Sequence, residues 1–186
     1  RTDDPEKLRE FSESMIDQID TLSNIAAAFS RFASMPELRL KLFPVRELVR
    51  RVAMLYPEHN VQFKAEDEDL QIYADPDQLI RVMNNLINNA LQSVPQGRKE
   101  QIVVSLSRKG EQALIEVCDN GSGIPESQHT KIFEPRFTTK SSGMGLGLAL
   151  VKRIVDGFSG RIEFETKLGE GTCFRVYLPL SAQSED

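Results

Sequence analysis

The sequence predicts a two-layer α/β sandwich in which a mixed sheet is covered on one face by helices. Strand-like runs arrive in pairs around short turns, as in "QIVVSLS" and "QALIEVCD" on either side of Lys109-Gly110, the pattern of an antiparallel hairpin. Between such runs stand stretches whose apolar residues step by three and four, the spacing of a helix that lays one face on a sheet. A chain of 186 residues has room for one buried core and a small additional element.

The elements follow in order. From Pro5 to Ala33 the residues Leu8, Phe11, Met15, Ile19, Leu22, Ala26, Phe29 and Ala33 recur at helical spacing, which predicts one long helix with a continuous apolar seam. Met35-Pro36 ends it, because the residue before a proline is driven out of the helical region. A seam of that length needs a partner, most simply a copy from a second chain, so a homodimer is expected; docking onto its own domain is the alternative. This dimerisation unit spans 1–36. A second unit, 37–181, opens with "LRLKLF" as a strand and a helix carrying Leu48, Val52 and Leu55. "VQFKA" and "LQIYAD" read as short strands, and Pro76 to Val94 as a helix that is apolar at Leu79, Val82, Met83, Leu86, Ile87, Ala90 and Leu91. After the central hairpin come a turn-rich segment, a helix led by glycines, and a closing hairpin of "RIEFETK" and "TCFRVYLPL" around Leu168-Gly169-Glu170-Gly171. Residues 182–186 have too little apolar content to order and are expected to be a disordered tail.

A formal charge of −5 lacks the basic face that gripping a phosphate backbone requires, so no nucleic-acid partner is expected. No apolar run reaches the length of a membrane span, and no leader is expected at the Arg1 end. This stretch is therefore expected in the cytoplasm without membrane contact of its own, even if a longer protein is anchored in the inner membrane. Cys118 and Cys173 lie in strand-like runs without zinc-site spacing and are expected to be reduced core residues.

Three stretches carry candidate chemistry. In "SSGMGLGLALVKRIVDGFSG", Gly143, Gly145 and Gly147 precede a helix, where each glycine costs helix propensity unless something needs the bare backbone. They read either as a mobile loop or as a loop that delivers phosphate to the free N–H groups at the helix start. In "NNLINNALQSV", Asn85 and Asn89 are four apart and share a helix face. That face reads either as a solvated polar surface or as a pair of carboxamide oxygens for Mg²⁺ beside a polyphosphate. In "CDNGSGIP", Asp119 ends an apolar strand and meets Gly121, Gly123 and Pro125; it is either ordinary turn chemistry or an acceptor for an exocyclic amine such as that of adenine. "IFEPRFTTK" places Phe133 and Phe137 around a proline-broken stretch ending at Lys140, a candidate lid.

The ordered set "NNLINNA", "DNGSGIP", "IFEPRFTTK", "GMGLGLAL" and "GEGTCF" resembles the nucleotide-site boxes of sensor histidine kinase catalytic domains, members of the gyrase, heat-shock chaperone, histidine kinase and mismatch-repair ATPase superfamily. The resemblance covers about residues 39 to 180, and "FSRFASMP" resembles the second helix of the dimerisation and phosphotransfer hairpin in nitrogen-regulation type kinases. It implies the Bergerat-type version of the α/β sandwich, with ATP and Mg²⁺ as cofactors and a response regulator receiver domain as partner. Asn89 matches the asparagine that holds Mg²⁺, and Asn85 its partner one turn earlier. Asp119 matches the carboxylate that reads the adenine amino group, with Gly121 and Gly123 beside it. Lys140 matches a lid residue that reaches the terminal phosphate, so Lys140 and Asn89 are the expected catalytic groups. Gly143, Gly145 and Gly147 match the lid hinge and helix entrance, and Thr172 a hydroxyl beneath the nucleotide.

Two positions depart from the family pattern. Gln92 stands where many members have a basic residue, and Arg136 replaces a more usual aromatic. The phosphoacceptor histidine belongs to a first hairpin helix that has no counterpart here, and His59 and His129 read as surface residues outside any acceptor motif. The expected function is the ATP-binding core of a histidine kinase, transferring the γ-phosphoryl group to a histidine outside this chain and onward to a response regulator. The alternatives are a nucleotide-controlled dimer module without catalysis, or another ATPase or serine kinase of the same superfamily.

Overall fold

The computed structural model describes residues 9, 12, 14–16, 18, 19, 37–66, 70–135 and 146–181. The described residues between 9 and 19 are helical; the rest of the predicted N-terminal helix, Arg136, Phe137, Lys140, Gly143, Gly145 and the tail 182–186 lie outside the described residues. From Lys41 onward the order is β1 (Lys41–Pro44), α1 (Val45–Ala53), β2 (Val61–Ala65), β3 (Gln71–Ala74), α2 (Pro76–Ser93), β4 (Ile102–Lys109), β5 (Gln112–Cys118), a single 3₁₀ turn (Glu126–Gln128), α3 (Gly147–Gly157), β6 (Arg161–Lys167) and β7 (Gly171–Pro179).

Five strands form one mixed sheet in the order β2-β4-β5-β7-β6. Only β2 and β4 run parallel within it. The parallel step follows from topology, since α2 crosses over between them. β1 and β3 pair separately as an antiparallel ribbon, bridged to the end of β7 through Ile72 and Leu180. The sequence reading thus holds for the sandwich and its hairpins, while the separate ribbon is an addition.

Alternation along the strands decides which face the helices cover. Ile102, Val104 and Leu106 of β4, Ala113, Ile115 and Val117 of β5, and Phe174, Val176 and Leu178 of β7 are buried in one core. They meet α2, whose Leu79, Val82, Met83, Leu86 and Ile87 are fully buried. Each such side chain contributes about 1.5–3 kcal/mol by leaving water. Asp75 starts α2 as its N-cap: Oδ1 accepts from the N–H groups of Asp77 and Gln78 at 3.0 and 3.2 Å, and Pro76 supplies the first helical position, where its missing N–H costs nothing. The same carboxylate accepts from the Arg39 N–H through Oδ2 at 2.9 Å.

Two expectations need correction. Cys118 and Cys173 are joined by a disulfide, because antiparallel pairing of β5 with β7 puts them directly opposite. Their separation in sequence hid that register, and the two cysteines are half-buried rather than part of the core. His129 is not a plain surface residue: its Nε2 lies 2.9 Å from the Ile124 carbonyl, and its ring meets Phe164 edge-on at 5.2 Å.

The turn from β6 to β7 closes on the end of β5. Gly171 has φ +136°, a region that side chains avoid, and a Cβ there would overlap the Asp119 carbonyl oxygen. Gly171→Ala should therefore lower unfolding free energy by about 2 kcal/mol or more. Urea denaturation reads this, and a variant as stable as the parent would contradict the described packing.

Candidate functional site

The buried stripe of α2 fixes how the helix is rotated, and that rotation sets where its polar residues point. Asn84 is committed to structure, since its Oδ1 accepts from the Tyr56 hydroxyl at 3.0 Å, and burial pushes the Tyr56 phenol above its ordinary range. Asn88 is exposed. Asn85 donates from Nδ2 to the Arg81 carbonyl at 2.7 Å, which orients the amide so that Oδ1 faces α3. A Cβ built on Gly147 would come within 2.9 Å of that oxygen and 4.0 Å of Asn89 Nδ2. Gly147 is thus the residue that lets the start of α3 approach the two carboxamides.

That start has no side-chain cap. Its first N–H groups and the positive end of its dipole therefore suit an anion. The Asn85 carboxamide oxygen alongside suits a hard cation that shares phosphate oxygens, while Asn89 turns its Nδ2 to the same side. The structure brings Asn85, Asn89 and Gly147 together.

A second group gathers at the end of β5. Asp119 Oδ1 accepts from the Gly121 N–H at 2.8 Å, from the Ser93 hydroxyl at 2.9 Å and from the Thr172 N–H at 3.2 Å. The Asp119 N–H in turn donates to the Thr172 carbonyl at 2.8 Å. The two backbone N–H groups hold the carboxylate in a single orientation, and the Ser93 hydroxyl shares its one proton between Asp119 and the Ala90 carbonyl at 2.7 Å. A Cβ on Gly121 would overlap Ser93 Oγ, and one on Gly123 would overlap the Lys167 carbonyl. Both glycines are therefore required by neighbouring parts of the chain, a constraint separate from ligand approach. Thr172 is buried, and its hydroxyl meets Thr166 Oγ1 at 2.9 Å, which also accepts from the Ile124 N–H at 2.9 Å.

The two groups share one helix, because Asn89 and Ser93 lie one turn apart on α2, a rise of roughly 6 Å. Ser93 extends the Asn85, Asn89 series by the same step of four, a spacing legible in the sequence. Thr166 and Arg98 also support the Asp119 loop, and only long-range pairing brings them there. Phe133 packs edge-on against Phe164 and Phe174 at 6.1 and 6.4 Å, anchoring the chain just before residue 136. Gln92 is exposed on α2. His59 Nδ1 sits 2.9 Å from Glu100 Oε1, a contact that holds the Glu100 carboxyl below its ordinary range. Among the described residues no helix is long and apolar enough to cross a membrane.

The chain is 32% identical over 183 residues to the sensor histidine kinase ZraS of Escherichia coli (strain K12), covering 95% of this chain and 39% of that one. It is 33% identical to the sensory histidine kinase/phosphatase NtrB of Azospirillum brasilense, covering 91% and 46%. The chain therefore spans less than half the length of these curated relatives. The catalytic domain of histidine kinase ThkA superposes with a TM-score of 0.67 at 32% identity, over 76% of this chain and 95% of that one. Histidine kinase ThkA in complex with response regulator protein TrrA gives 0.74 at 27% identity, over 98% and 54%. Residues 74–182 match the family described as histidine kinase-, DNA gyrase B-, and HSP90-like ATPase. They run from the end of β3 through the closing hairpin and include α2, Asp119, Gly147 and Thr172. The chain belongs to this ATPase family.

Proposed function

We propose that this chain is the ATP-binding catalytic core of a two-component sensor histidine kinase, transferring the γ-phosphoryl group of Mg-ATP to a histidine and onward to a response regulator. The observation that carries the reading is the pair of carboxamides, Asn85 and Asn89, set against the uncapped start of α3, one helical turn from the carboxylate that Ser93 holds. The name of ZraS, and the complex of ThkA with its response regulator, support both the activity and the partner. NtrB among the relatives supports the nitrogen-regulation likeness.

In this reading Asp119 accepts the adenine amino group and Thr172 supports the base from beneath. The start of α3, led by Gly147, receives phosphate on its N–H groups, with Gly143 and Gly145 as the hinge before it. Lys140 approaches the terminal phosphate. Asn85 and Asn89 would hold Mg²⁺ through their side-chain oxygens, Asn89 after turning its amide so that Oδ1 replaces Nδ2 beside Gly147, and the ion would neutralise phosphate charge. Phosphoryl transfer asks a protein chiefly for position and charge, which this set supplies. The reading makes 37–181 the catalytic unit and 1–36 a dimerisation helix, working in the cytoplasm, where ATP is supplied.

Asn89→Ala should abolish Mg-dependent ATP binding without unfolding the chain, because its side chain does not belong to the buried core. Asp119→Asn should weaken ATP by about 1–3 kcal/mol and erode its advantage over GTP, since a carboxamide turns a donor where an acceptor is needed. Calorimetry on both variants tests the roles; tight Mg-ATP binding by folded Asn89→Ala would refute the metal role, and an unchanged ATP-to-GTP ratio in Asp119→Asn the base-reading one.

We expect neither histidine of this chain to act as the acceptor, since neither stands in an acceptor motif, even though the Glu100 contact on His59 Nδ1 leaves its Nε2 open. Incubation with radiolabelled Mg-ATP should leave almost no acid-labile phosphate. A separate helical hairpin bearing an acceptor histidine should restore labelling in trans. Rapid stoichiometric phosphate on His59 or His129 would overturn the reading.

The apolar seam of residues 8–33 should make the chain dimeric. Replacing Leu22 and Phe29 together by Glu places charge in the seam at a cost that separates subunits. Sedimentation reads the change, and a monomer before mutation defeats it.

A further inference from the structure

We infer that Arg98 is a positioning residue for base recognition, acting on the Asp119 carboxylate through one peptide bond. The inference rests on the proposed reading of Asp119 as the group that selects adenine. Arg98 lies in the loop between α2 and β4, and its side chain crosses to the loop that follows β5. There Nη1 donates to the Asn120 carbonyl at 2.7 Å and to the Gly121 carbonyl at 3.1 Å, and it reaches the Gly169 carbonyl of the β6–β7 turn at 3.2 Å. The two loops are also joined through Asn120, whose side chain donates to the Lys99 carbonyl at 3.0 Å and accepts from the Gln101 N–H at 2.9 Å.

The Asn120 carbonyl and the Gly121 N–H belong to the same peptide unit. Its oxygen is held by the guanidinium at 2.7 Å, and its N–H points at Asp119 Oδ1 at 2.8 Å. A cation on the carbonyl polarises the amide, which makes the N–H a stronger donor to the carboxylate, and a chain of this kind strengthens cooperatively. It also fixes the plane of the peptide. A peptide next to glycine otherwise rotates cheaply, because glycine accepts both signs of φ. With the plane reversed, the Asn120 carbonyl would face Asp119 and the carboxylate would lose its 2.8 Å hydrogen bond from the Gly121 N–H. Arg98 sets the carboxylate's direction without touching the base.

The sequence gives no hint of this pairing, since Arg98 stands in "PQGRKE", a polar loop with no box. It becomes visible only when three carbonyls from two distant segments converge on one guanidinium nitrogen. Because Arg98 is exposed, removing its side chain opens no core cavity.

The test uses this chain with Arg98→Ala and Arg98→Lys. Thermal midpoints and circular dichroism verify the fold. In the nucleotide-free protein, the ¹H–¹⁵N resonance of Gly121 should lose its downfield proton shift in Arg98→Ala, which needs no assumption about ATP. With Mg²⁺ and nucleotide, calorimetry should find ATP weakened by about five- to twentyfold, the range for loss of a charge-assisted hydrogen bond acting at one remove. GTP should change little, and Arg98→Lys should recover part of the ATP affinity, since an ammonium can reach one carbonyl. An unmoved Gly121 resonance, or ATP affinity equal to the parent, overturns the inference. So does equal weakening of ATP and GTP together with a lowered midpoint, the signature of a mere brace. If Arg98→Ala does not fold, Arg98→Lys carries the test alone, and parental ATP-to-GTP discrimination in it overturns the inference. A parent protein that binds no ATP at all, with the Gly121 shift still responding to Arg98, removes the proposed function and the recognition role with it while leaving the peptide coupling intact.

Discussion

The rotation of α2 is the constraint on which the site depends. Five of its residues, Leu79, Val82, Met83, Leu86 and Ile87, are wholly withdrawn from water. Turning the helix by even one position would expose some of them and bury polar groups, at several kcal/mol. With the rotation fixed, a step of four carries Asn85, Asn89 and Ser93 along one edge. The first two meet α3 and the third meets Asp119. A polar row useful for ligand chemistry is thus aimed by an apolar row that touches no ligand.

Support for the site is spread across elements distant in sequence. Thr172 and Asp119 exchange backbone and side-chain hydrogen bonds across β5 and β7, and Thr166 on β6 ties the following loop to the same corner. Glycines at 121, 123 and 171 let three backbone segments meet there, and in each case a Cβ would collide with the chain itself. On the opposite face of the sheet, Arg175 bridges Glu116 and Glu165 at 3.0 and 2.7 Å. These partly exposed pairs are worth at most about 1 kcal/mol each, so the corner owes its shape to steric fit and buried hydrogen bonds.

Much of this was legible in the sequence because it is written locally. Hairpins around Lys109-Gly110 and Leu168–Gly171, the start of α2 at Asp75-Pro76 and the asparagine edge all follow from short-range pattern. What escaped was set by register. The disulfide needed Cys118 and Cys173 opposite one another, the ribbon needed β1 to choose β3, and Arg98 needed two loops to meet. His129 was misread because edge-on contact with Phe164 leaves no local trace. Among the asparagines, pattern distinguished the pair on one edge but not that Asn84 serves Tyr56.

The distance along the chain between Asp119 and Thr172 also has a kinetic side. Their contact spans 53 residues, and α3 and β6 lie in the intervening chain. Contacts of such long range bear a loop-closure cost before they return any stabilisation, and folds rich in them form slowly. Closing the corner that holds Asp119 therefore carries an entropic cost set by that length of chain. A ligand bound there favours the completed topology over every partly folded one, by the mass action of binding to the native state alone.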